Sequence, residues 1–293
     1  PGRPHLVVDC HMDEVGFMMQ SITPDGYLRV LGLGGWRTAT LQAQPVIVLG
    51  SHGKIPGVFG SVPPHLAKDG TNAQPGMEEL YVDIGATSDA MARDWGIRPG
   101  LAVCPDVAAR PSRHPDRLIG KAFDNRAGCA ACIETAVATS GGPASVTFVG
   151  AVQEEGGLRG AAVASRATQA DLAIVLEGTP ADDGPGVAPQ LCQGALGGGV
   201  QIRCYDPSHL ANSKLVDWTI QLAEANGAPH QLAVRRSGGT NAGRYHLENL
   251  GIPTIVLGVP ARYIHSHQSM IDLGDYDAAV ALAIAIVESM DRE

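Results

Sequence analysis

The sequence of 293 residues predicts an α/β fold: a mostly parallel central sheet flanked by helices, with a small, mainly β domain inserted into it. From about residue 115 onward, short apolar runs rich in β-branched residues alternate with segments of helical spacing. The runs are apolar at consecutive positions, which is typical of strands buried on both faces of a sheet. Residues 24–112 differ, because Gly and Pro interrupt them and their apolar stretches are short and alternating. These observations indicate one helix-covered sheet and a separate β module.

The main domain is predicted to comprise residues 1–23 and 113–293. Its first strand includes Leu6-Val7-Val8 and runs into a polar corner. The remaining elements follow in order, with strands in the runs 144–153, 171–177, 198–204 and 252–258 and helices in 124–139, 209–226 and 274–290. The inserted domain, residues 24–112, carries alternating stretches at 27–30, 45–48 and 80–83 and one short helical pattern near 88–95.

The composition excludes several classes of partner. The net charge is −9 and no run of Lys and Arg occurs, so neither nucleic acid nor an anionic membrane surface is expected to bind. No window holds eighteen consecutive apolar residues and the first residues carry no signal-peptide pattern, which predicts neither a membrane span nor a secretory leader. Small molecules or peptides are therefore the expected partners.

Six cysteines are scattered through apolar surroundings: Cys10, Cys104, Cys129, Cys132, Cys192 and Cys204. In a chain of this length they favour free core thiols in a reducing compartment, and so predict a cytoplasmic protein. The pair Cys129-Ala-Ala-Cys132 has the spacing of a metal or redox motif. Because it lacks a second pair and lies in a helical pattern of small residues, we interpret it as a packing feature.

Ionisable side chains stand at five predicted ends of strands or starts of helices, where an open α/β sheet collects its functional groups. They occur in Asp9-Cys10-His11-Met12-Asp13-Glu14, at Asp124, in Glu154-Glu155, at Glu177 and in Arg262-Tyr263-Ile264-His265. Two imidazoles and three carboxylates among them suit a pair of divalent ions: His11, Asp124, Glu155, Glu177 and His265. Ions about 3.5–4 Å apart polarise a carbonyl group and activate water. Asp124 directly precedes a helical pattern, as an N-cap does.

The adjacent carboxylates Glu154 and Glu155 follow a predicted buried strand. Neighbouring side chains of an extended chain point to opposite sides, so the two cannot bind one ion in the same way. We interpret one as a metal ligand and the other as a general base that activates water and then protonates the leaving amine. His11 and Asp13 are two residues apart and share one side of an extended segment, so Asp13 is predicted to accept the second ring N–H of His11.

Four longer motifs contain these residues: His11-Met12-Asp13-Glu14-Val15-Gly16-Phe17, Ala122-Phe123-Asp124-Asn125-Arg126, Gln153-Glu154-Glu155-Gly156-Gly157-Leu158-Arg159-Gly160 and Arg262-Tyr263-Ile264-His265-Ser266. Together they resemble the signatures of metallopeptidase family forty-two, the tetrahedral or glutamyl aminopeptidases. Segments near residues 32–36, 63–66 and 82–86 resemble its inserted β domain. The resemblance therefore covers nearly the whole chain.

The resemblance implies an aminopeptidase with two divalent metal ions per chain, zinc or cobalt, that removes the N-terminal residue of short peptides. By motif position, His11 and Glu177 join one ion, Glu155 and His265 belong to the other, Asp124 bridges them and Glu154 is the base. The resemblance also implies that the inserted domain mediates dimer contacts in a self-compartmentalised particle, commonly a dodecamer.

The sequence departs from the family pattern at three places. The family often has Asp where Glu177 stands, and Glu reaches farther as an oxygen ligand. Its Gly-Gly-Thr-Asp is here Gly238-Gly239-Thr240-Asn241, which removes a charge near the presumed site. Members of the family also begin several dozen residues before the position of Pro1. Asn241, together with His267, is predicted to contact substrate.

Two alternatives come from other functional classes. A glycoside hydrolase would use two acids about 5–10 Å apart on either side of a sugar and has no need of His11 and His265. The aromatic content of 4% is also low for sugar-stacking surfaces. A non-catalytic assembly protein of the same fold is the other alternative, although the complete ligand set and Glu154 disfavour it.

Overall fold

The computed structural model describes residues 4–66, 75–142 and 144–290. Its strands are β1 (His5–His11), β2 (Gly16–Ile22), β3 (Leu28–Leu33), β4 (Pro45–Gly50), β5 (Gly53–Phe59), β6 (Val82–Asp83), β7 (Ala102–Pro105), β8 (Arg110–Pro111), β9 (Arg117–Gly120), β10 (Ser145–Ala151), β11 (Leu172–Pro180), β12 (Val200–Asp206), β13 (His209–Leu210), β14 (His230–Val234), β15 (Thr254–Arg262) and β16 (Ser269–Asp272). Its α-helices are α1 (Asp89–Asp94), α2 (Phe123–Ala138), α3 (Arg159–Ala167), α4 (Ser213–Ala225), α5 (Ala242–Tyr245) and α6 (Leu273–Ser289).

The chain divides into two compact units. The sheet unit comprises the described residues up to Glu14, Ala109–Ile264 and those from Ser269 onward, and the barrel unit comprises Val15–Ala108 and His265–Gln268. The sequence predicts the inserted domain over residues 24–112. The barrel unit begins earlier because β2 pairs with β3 and β7, and it ends earlier because β8 pairs with β9 of the main sheet.

The sheet unit contains one ten-stranded sheet, as an α/β fold requires. Its main path runs β10-β1-β11-β15-β16-β9-β8, and β12 joins β15 to β14 beside this path. The four strands β10, β1, β11 and β15 run parallel to one another. Both β12 and β16 pair antiparallel with β15, β9 and β8 continue the antiparallel flank, and β14 is parallel to β12. The predicted fold class is therefore confirmed, with a parallel centre and antiparallel flanks.

Helices cover both faces of the sheet, which explains why its central strands are apolar at consecutive positions. On one face, Leu6, Val8 and Cys10 of β1 pack in a core with α2, α4 and α6. On the other face, Val7 packs with residues of α3 and α5. Because side chains alternate along a strand, His11 lies on the same face as Val7. Among the described residues, no helix is both long enough and apolar enough to span a bilayer.

Two predicted helices begin at residues different from those expected. The sequence predicts a helix from residue 209, but His209–Leu210 pairs with β12 and α4 starts at Ser213. Asn212 caps that helix, since its side chain accepts the N–H of Lys214. The N-terminal end of α2 differs too, and its geometry belongs to the candidate site.

The barrel unit is a closed β-barrel in the order β2-β3-β6-β5-β4-β7. Its interior is one apolar cluster that includes Phe17 and Phe59, whose rings meet edge to face with centroids 4.9 Å apart. Trp36 stacks on Phe17 at 4.6 Å and donates its indole N–H to the carbonyl of Gly16. Closure removes the open edges of the sheet, so this short-stranded unit has its own core.

Candidate metal centre

His11 and Glu177 come from neighbouring parallel strands. β1 and β11 pair Asp9 with Val175, and each site residue lies two positions further along its strand. The two side chains therefore project from the same face of the sheet. His11 Nε2 lies 3.0 Å from Glu177 Oε1, and the two residues are only 1% and 4% exposed. The sheet register alone thus brings a buried imidazole against a buried carboxylate.

Further carboxylates surround the same imidazole. Asp124 Oδ1 lies 3.1 Å and Glu154 Oε2 lies 3.9 Å from His11 Nε2. The potential ligand atoms of His11, Glu154 and Glu177 all lie within 4.8 Å of one another, and so do the carboxylate oxygens of Asp124 and Glu155. Three acidic side chains therefore converge on the imidazole of His11 at the carboxyl end of the parallel strands, and Glu155 adjoins one of them, Asp124.

Asp124 is oriented by the residue that follows it. Both Asp124 and Asn125 keep non-helical backbone angles within the first turn of α2. Asn125 Oδ1 accepts the N–H of Gly128 at 3.0 Å, and its Nδ2 donates to the carbonyl of Leu176 at 2.8 Å. The prediction that Asp124 caps the helix is therefore wrong: Asn125 is the cap, and the carboxylate of Asp124 reaches the imidazole of His11 instead.

Glu154 and Glu155 lie in a turn between β10 and α3. The N–H groups of Gly157 and Leu158 both donate to the carbonyl of Glu154 at 2.9 Å. The extended conformation expected for Glu154 and Glu155 is therefore wrong. The two carboxylates nevertheless diverge, since Glu154 joins the imidazole and Glu155 joins Asp124.

Asp13, which follows the end of β1, binds the backbone of this turn. Its two carboxylate oxygens accept the backbone N–H groups of Glu154 at 3.0 Å and Glu155 at 3.2 Å. Burial alone would raise the pKa of Asp13, but the nearby His11 ring and these N–H donors hold it below the ordinary value. His11 Nδ1 donates to the backbone carbonyl of Asp13 at 3.0 Å, whereas the carboxylate expected as acceptor lies 3.7 Å away. The carbonyl thus orients the imidazole and leaves Nε2 toward the carboxylates.

The buried carboxylates of the cluster repel one another, and this repulsion and burial favour their protonated forms. Burial, followed by the charge of Glu177, raises the pKa of Glu154 to about 9. The pKa of Glu177 is also raised, chiefly by burial. Burial alone would lower the pKa of His11, yet Glu177, Asp124 and Asp13 together raise it well above the ordinary value. Carboxylates this close cannot all ionise without a compensating positive charge.

The donor set fits divalent cations. Apart from the His11 ring, no donor among the described residues hydrogen-bonds to the buried oxygens of Glu177. Imidazole nitrogen with several carboxylates is the ligand combination that zinc, cobalt and manganese accept. A divalent ion would also relieve the mutual repulsion of the acids. His11, Asp124 and Glu177 together offer one such set, and Glu155 with Asp124 offers part of another.

The last predicted ligand, His265, belongs to the barrel unit. Its φ of 57° is left-handed, and its Nδ1 lies 2.9 Å from the carbonyl of Gly35. A carbonyl only accepts hydrogen bonds, so Nδ1 of His265 is the donor in this contact. His11 shows the same arrangement. The ligand role of His265 stays a prediction.

The two residues predicted to contact substrate are both buried. His267 of the barrel unit is 3% exposed, with its ring centroid 5.8 Å from that of Trp36, and burial lowers its pKa to about 4. Asn241 of the sheet unit is 0% exposed, and its Nδ2 donates to Asp9 Oδ1 at 2.6 Å. That bond gives Asn241 a structural part beneath the site, and its contact with substrate stays a prediction.

Sequence reasoning missed three residues that organise the site. Asn125 carried a usable signal, since Asn at the start of a helix is a frequent cap. Asp9 stands in the ionisable segment after the first strand but was given no role, and Tyr245 carried no signal, because its hydroxyl donates to Asp9 Oδ2 at 2.9 Å across more than two hundred residues of sequence. Burial raises the pKa of Asp9 to about 7 despite the hydrogen bonds from Asn241 and Tyr245.

Comparison with known proteins identifies one family. The family model described as M42 glutamyl aminopeptidase matches residues 1–282. A glutamyl aminopeptidase from Lactococcus lactis subsp. cremoris is 36% identical over 99% of this chain and 82% of its own length. A lysyl aminopeptidase from Pyrococcus furiosus is 33% identical over 98% of this chain and 82% of its own length.

Solved structures agree with these relatives. A TET aminopeptidase from a marine sediment Thaumarchaeota archaeon superposes with a TM-score of 0.95 at 34% identity, covering 99% of this chain and 82% of the other. The Pyrococcus horikoshii TET1 peptidase, which can assemble into a tetrahedron or a large octahedral shell, gives 0.88 at 28% identity over 98% and 84%. A Thermotoga maritima protein named endoglucanase gives 0.77 at 31% identity over 98% and 80%.

Proposed function

The chain belongs to the M42 glutamyl aminopeptidase family and is a peptidase, and we propose that it removes N-terminal residues from short peptides with two divalent ions and a glutamate base. The observation that carries this proposal is the convergence of buried acids on His11 Nε2, with Glu177 at 3.0 Å and Asp124 at 3.1 Å. A buried acidic cluster of this kind is costly unless cations bind to it.

Five residues are proposed to hold the ions. His11 and Glu177 would bind one ion, Glu155 and His265 would bind the other, and Asp124 would bridge them. When bound, such a pair polarises the carbonyl of the scissile peptide and lowers the pKa of water. Zinc or cobalt is the expected metal, because nitrogen and oxygen ligands suit both.

Glu154 is proposed as the general base. It lies beside the ligands, with Oε2 3.9 Å from His11 Nε2, yet the bridging and terminal positions are accounted for without it. Its carboxylate would accept a proton from the attacking water and then deliver it to the leaving amine. Divalent ions would lower its pKa from about 9 toward the range where it can act as a base.

Asp13 is proposed to position this base. By accepting the N–H groups of both glutamates, it fixes the turn that presents them. Because each of its carboxylate oxygens accepts one of these N–H groups, its replacement should change the placement of Glu154 and Glu155 together. His267 and Asn241 are retained as proposed substrate-binding residues on the strength of the resemblance.

Self-association and location complete the proposal. The Pyrococcus horikoshii relative assembles into closed particles, and this chain is proposed to form a homo-oligomer, a dodecamer in the family pattern, through contacts of the barrel unit. We also propose a cytoplasmic location, because the six cysteines are scattered through apolar surroundings, a pattern typical of core thiols in a reducing compartment.

The test combines metal analysis with hydrolysis of aminoacyl anilides. We expect about two divalent ions per chain and release of leucyl, glutamyl or lysyl anilide that stops on chelation and returns on addition of zinc or cobalt. Glu154→Gln should keep the metal and lose most turnover, by about a hundredfold or more. Glu155→Gln is the matched control, since removal of a proposed ligand should lower metal content as well as turnover.

Each outcome separates the alternatives. A glycoside hydrolase would cleave sugars without metal, and a non-catalytic assembly protein would hydrolyse neither class of substrate. Turnover near the parent level in Glu154→Gln would refute its role as the base. Unchanged metal content in both His11→Ala and His265→Ala would refute the metal centre.

A further inference from the structure

Three thiols lie against β1 directly behind the candidate metal centre. Cys10 precedes His11 on β1 and points to the opposite face of the sheet, where α2 carries Cys129 and Cys132. Cys10 Sγ donates to the carbonyl of Val149 at 3.4 Å, and the thiols of Cys129 and Cys132 lie close enough to interact with it. The spacing of three residues places the two helical cysteines on one side of α2. Cys10 thus lies between two other thiols.

The thiols also bond to the backbone that carries the site. Cys129 Sγ donates to the carbonyl of His11 at 3.0 Å, and Cys132 Sγ points to the carbonyl of Val8 at 3.7 Å. Cys10 and Cys132 are 3% and 5% exposed, whereas Cys129 is only half-buried. Cys129 is therefore the thiol of the three that a small oxidant reaches first.

We propose that Cys10 and Cys129 are a redox-active pair that a peroxide converts to a disulfide, and that this disulfide weakens metal binding by His11 and Asp124. The second part rests on the proposed function, and the first part stands without it. Cys132 lies in the core and Cys129 packs against it, as the interpretation of Cys129-Ala-Ala-Cys132 as a packing feature expects. The proposal adds a reaction between Cys129 and the thiol on the neighbouring strand.

The chemistry balances with hydrogen peroxide as the oxidant. Cys129 Sγ attacks one peroxide oxygen, the O–O bond breaks, and a sulfenic acid forms with release of water. Cys10 Sγ then attacks the sulfenic sulfur, the S–O bond breaks, and a second water leaves. Two thiol hydrogens and one peroxide are consumed, both sulfurs are oxidised, and a thiol reductant reverses the step.

A disulfide at this place would disturb the ligands through two connections. It removes the S–H group of Cys129 that donates to the carbonyl of His11. It also draws together β1, which ends at His11, and α2, whose first turn contains Asp124, because bonded sulfurs lie much closer than hydrogen-bonded ones. A close-packed core transmits such a shift to the side chains around it.

The experiment treats the purified full chain with hydrogen peroxide, then maps disulfides by peptide mass spectrometry and measures bound metal. We expect loss of two hydrogen atoms, a Cys10–Cys129 crosslink, and zinc affinity lowered by about tenfold or more. Reduction should restore both. Cys132→Ser is the matched control and should still form the crosslink, whereas Cys129→Ser should not. Each variant is compared with its own reduced form.

Three outcomes would overturn the proposal: no disulfide in the treated chain, a crosslink that joins Cys10 to Cys132 instead, or a Cys10–Cys129 crosslink that leaves zinc affinity unchanged. A reduced chain that binds no metal would count against the proposed function. The crosslink map would still decide whether the thiol pair reacts, so the two failures are distinguishable.

Discussion

Asp9 is a buried carboxyl group whose charge depends on two donors. Asn241 Nδ2 and the Tyr245 hydroxyl lie 2.6 Å and 2.9 Å from its oxygens. Burial raises its pKa from 3.8 to about 7, and the two hydrogen bonds oppose that rise. The folded chain therefore binds a proton at Asp9 that the unfolded chain has released between these pH values. Its stability must accordingly fall as the pH rises through this window.

Asn241→Asp would place a second carboxyl group against Asp9. At pH 8 we expect it to lower the free energy of unfolding by about 3 kcal/mol, because the donor is lost and a buried charge has no partner. The loss should shrink toward pH 5, where both carboxyl groups are protonated and one can donate to the other. Urea unfolding of the chelated chain at the two pH values measures the difference.

The control for this substitution is Asn212→Asp. Asn212 caps α4 at an exposed position, and Asp caps a helix as well as Asn does. Its stability should therefore change little at either pH. A loss in Asn241→Asp that is the same at pH 5 and pH 8 would show that packing, and not charge, limits this position.

Single residues of the site could be predicted from the sequence where a side chain able to bind metal stands at the end of a predicted strand. His11, Glu154 and Glu177 stand where predicted strands end, and the sheet register brings their ligand atoms within 4.8 Å. The part played by Asp13 was not predictable. Whether its carboxylate or its carbonyl meets His11 depends on the path of the backbone, and the turn at Glu154 takes the carboxylate.

At the scale of elements, the first turn of α2, which contains Asp124, is attached to β11, the strand that bears Glu177. The two hydrogen bonds of Asn125 connect the first turn of α2 to Leu176 of β11. The approach is so close that a Cβ on Gly128 would lie 2.5 Å from the carbonyl of Leu176. Glycine at this position therefore permits the contact, and the first turn of α2 is fixed on the sheet.

Asn125→Ala should weaken both the helix and the site. It removes the cap of α2 and the hydrogen bond from Asn125 Nδ2 to the carbonyl of Leu176, at a combined cost of about 2 kcal/mol. Because Asp124 is the neighbouring residue, zinc affinity should fall as well, by about tenfold. Urea unfolding and zinc titration measure the two effects.

Asn212→Ala is the matched control, since it removes the cap of α4 far along the chain from the proposed ligands. It should lower stability by about 1 kcal/mol and leave zinc affinity unchanged. If Asn125→Ala loses stability but keeps full zinc affinity, Asp124 is held by something other than the cap.

The elements with a strong hydrophobic pattern were predictable from the sequence, whereas the pairing of the strands was not. The buried runs near β11 and β15 are apolar at nearly every position, so these strands followed from the sequence, as did the longer helices α2, α4 and α6. The short elements β13, β14 and α5 did not. The assignment of β2 to the barrel did not follow, because pairing with β3 and β7 is a long-range property. The short strands β8 and β16 likewise carry too few residues to show a period.

At the scale of the whole molecule, assembly constrains how surfaces are used. Each chain carries a net charge of −9, so copies repel one another unless apolar contacts outweigh the charge. A tetrahedral particle of twelve identical chains needs a threefold contact besides a twofold one, because a twofold contact alone stops at a dimer. The barrel unit offers an apolar row on its outside, where Met18 of β2 pairs with Leu31 of β3 and both are exposed.

Leu31→Asp tests whether that row carries the proposed dimer contact. Light scattering of the parent chain should give about twelve times its mass of 30.4 kDa, and the variant should give a smaller species, because a charge in each copy would face its counterpart across a twofold contact. Leu250→Asp is the control: this leucine of the sheet unit is fully exposed, and its replacement adds the same charge outside the barrel. If the Leu31→Asp particle keeps its full mass, the twofold contact does not use this face of the barrel unit.

A smaller particle in both variants would instead implicate net charge, because one added negative charge per chain then has the same effect at either position.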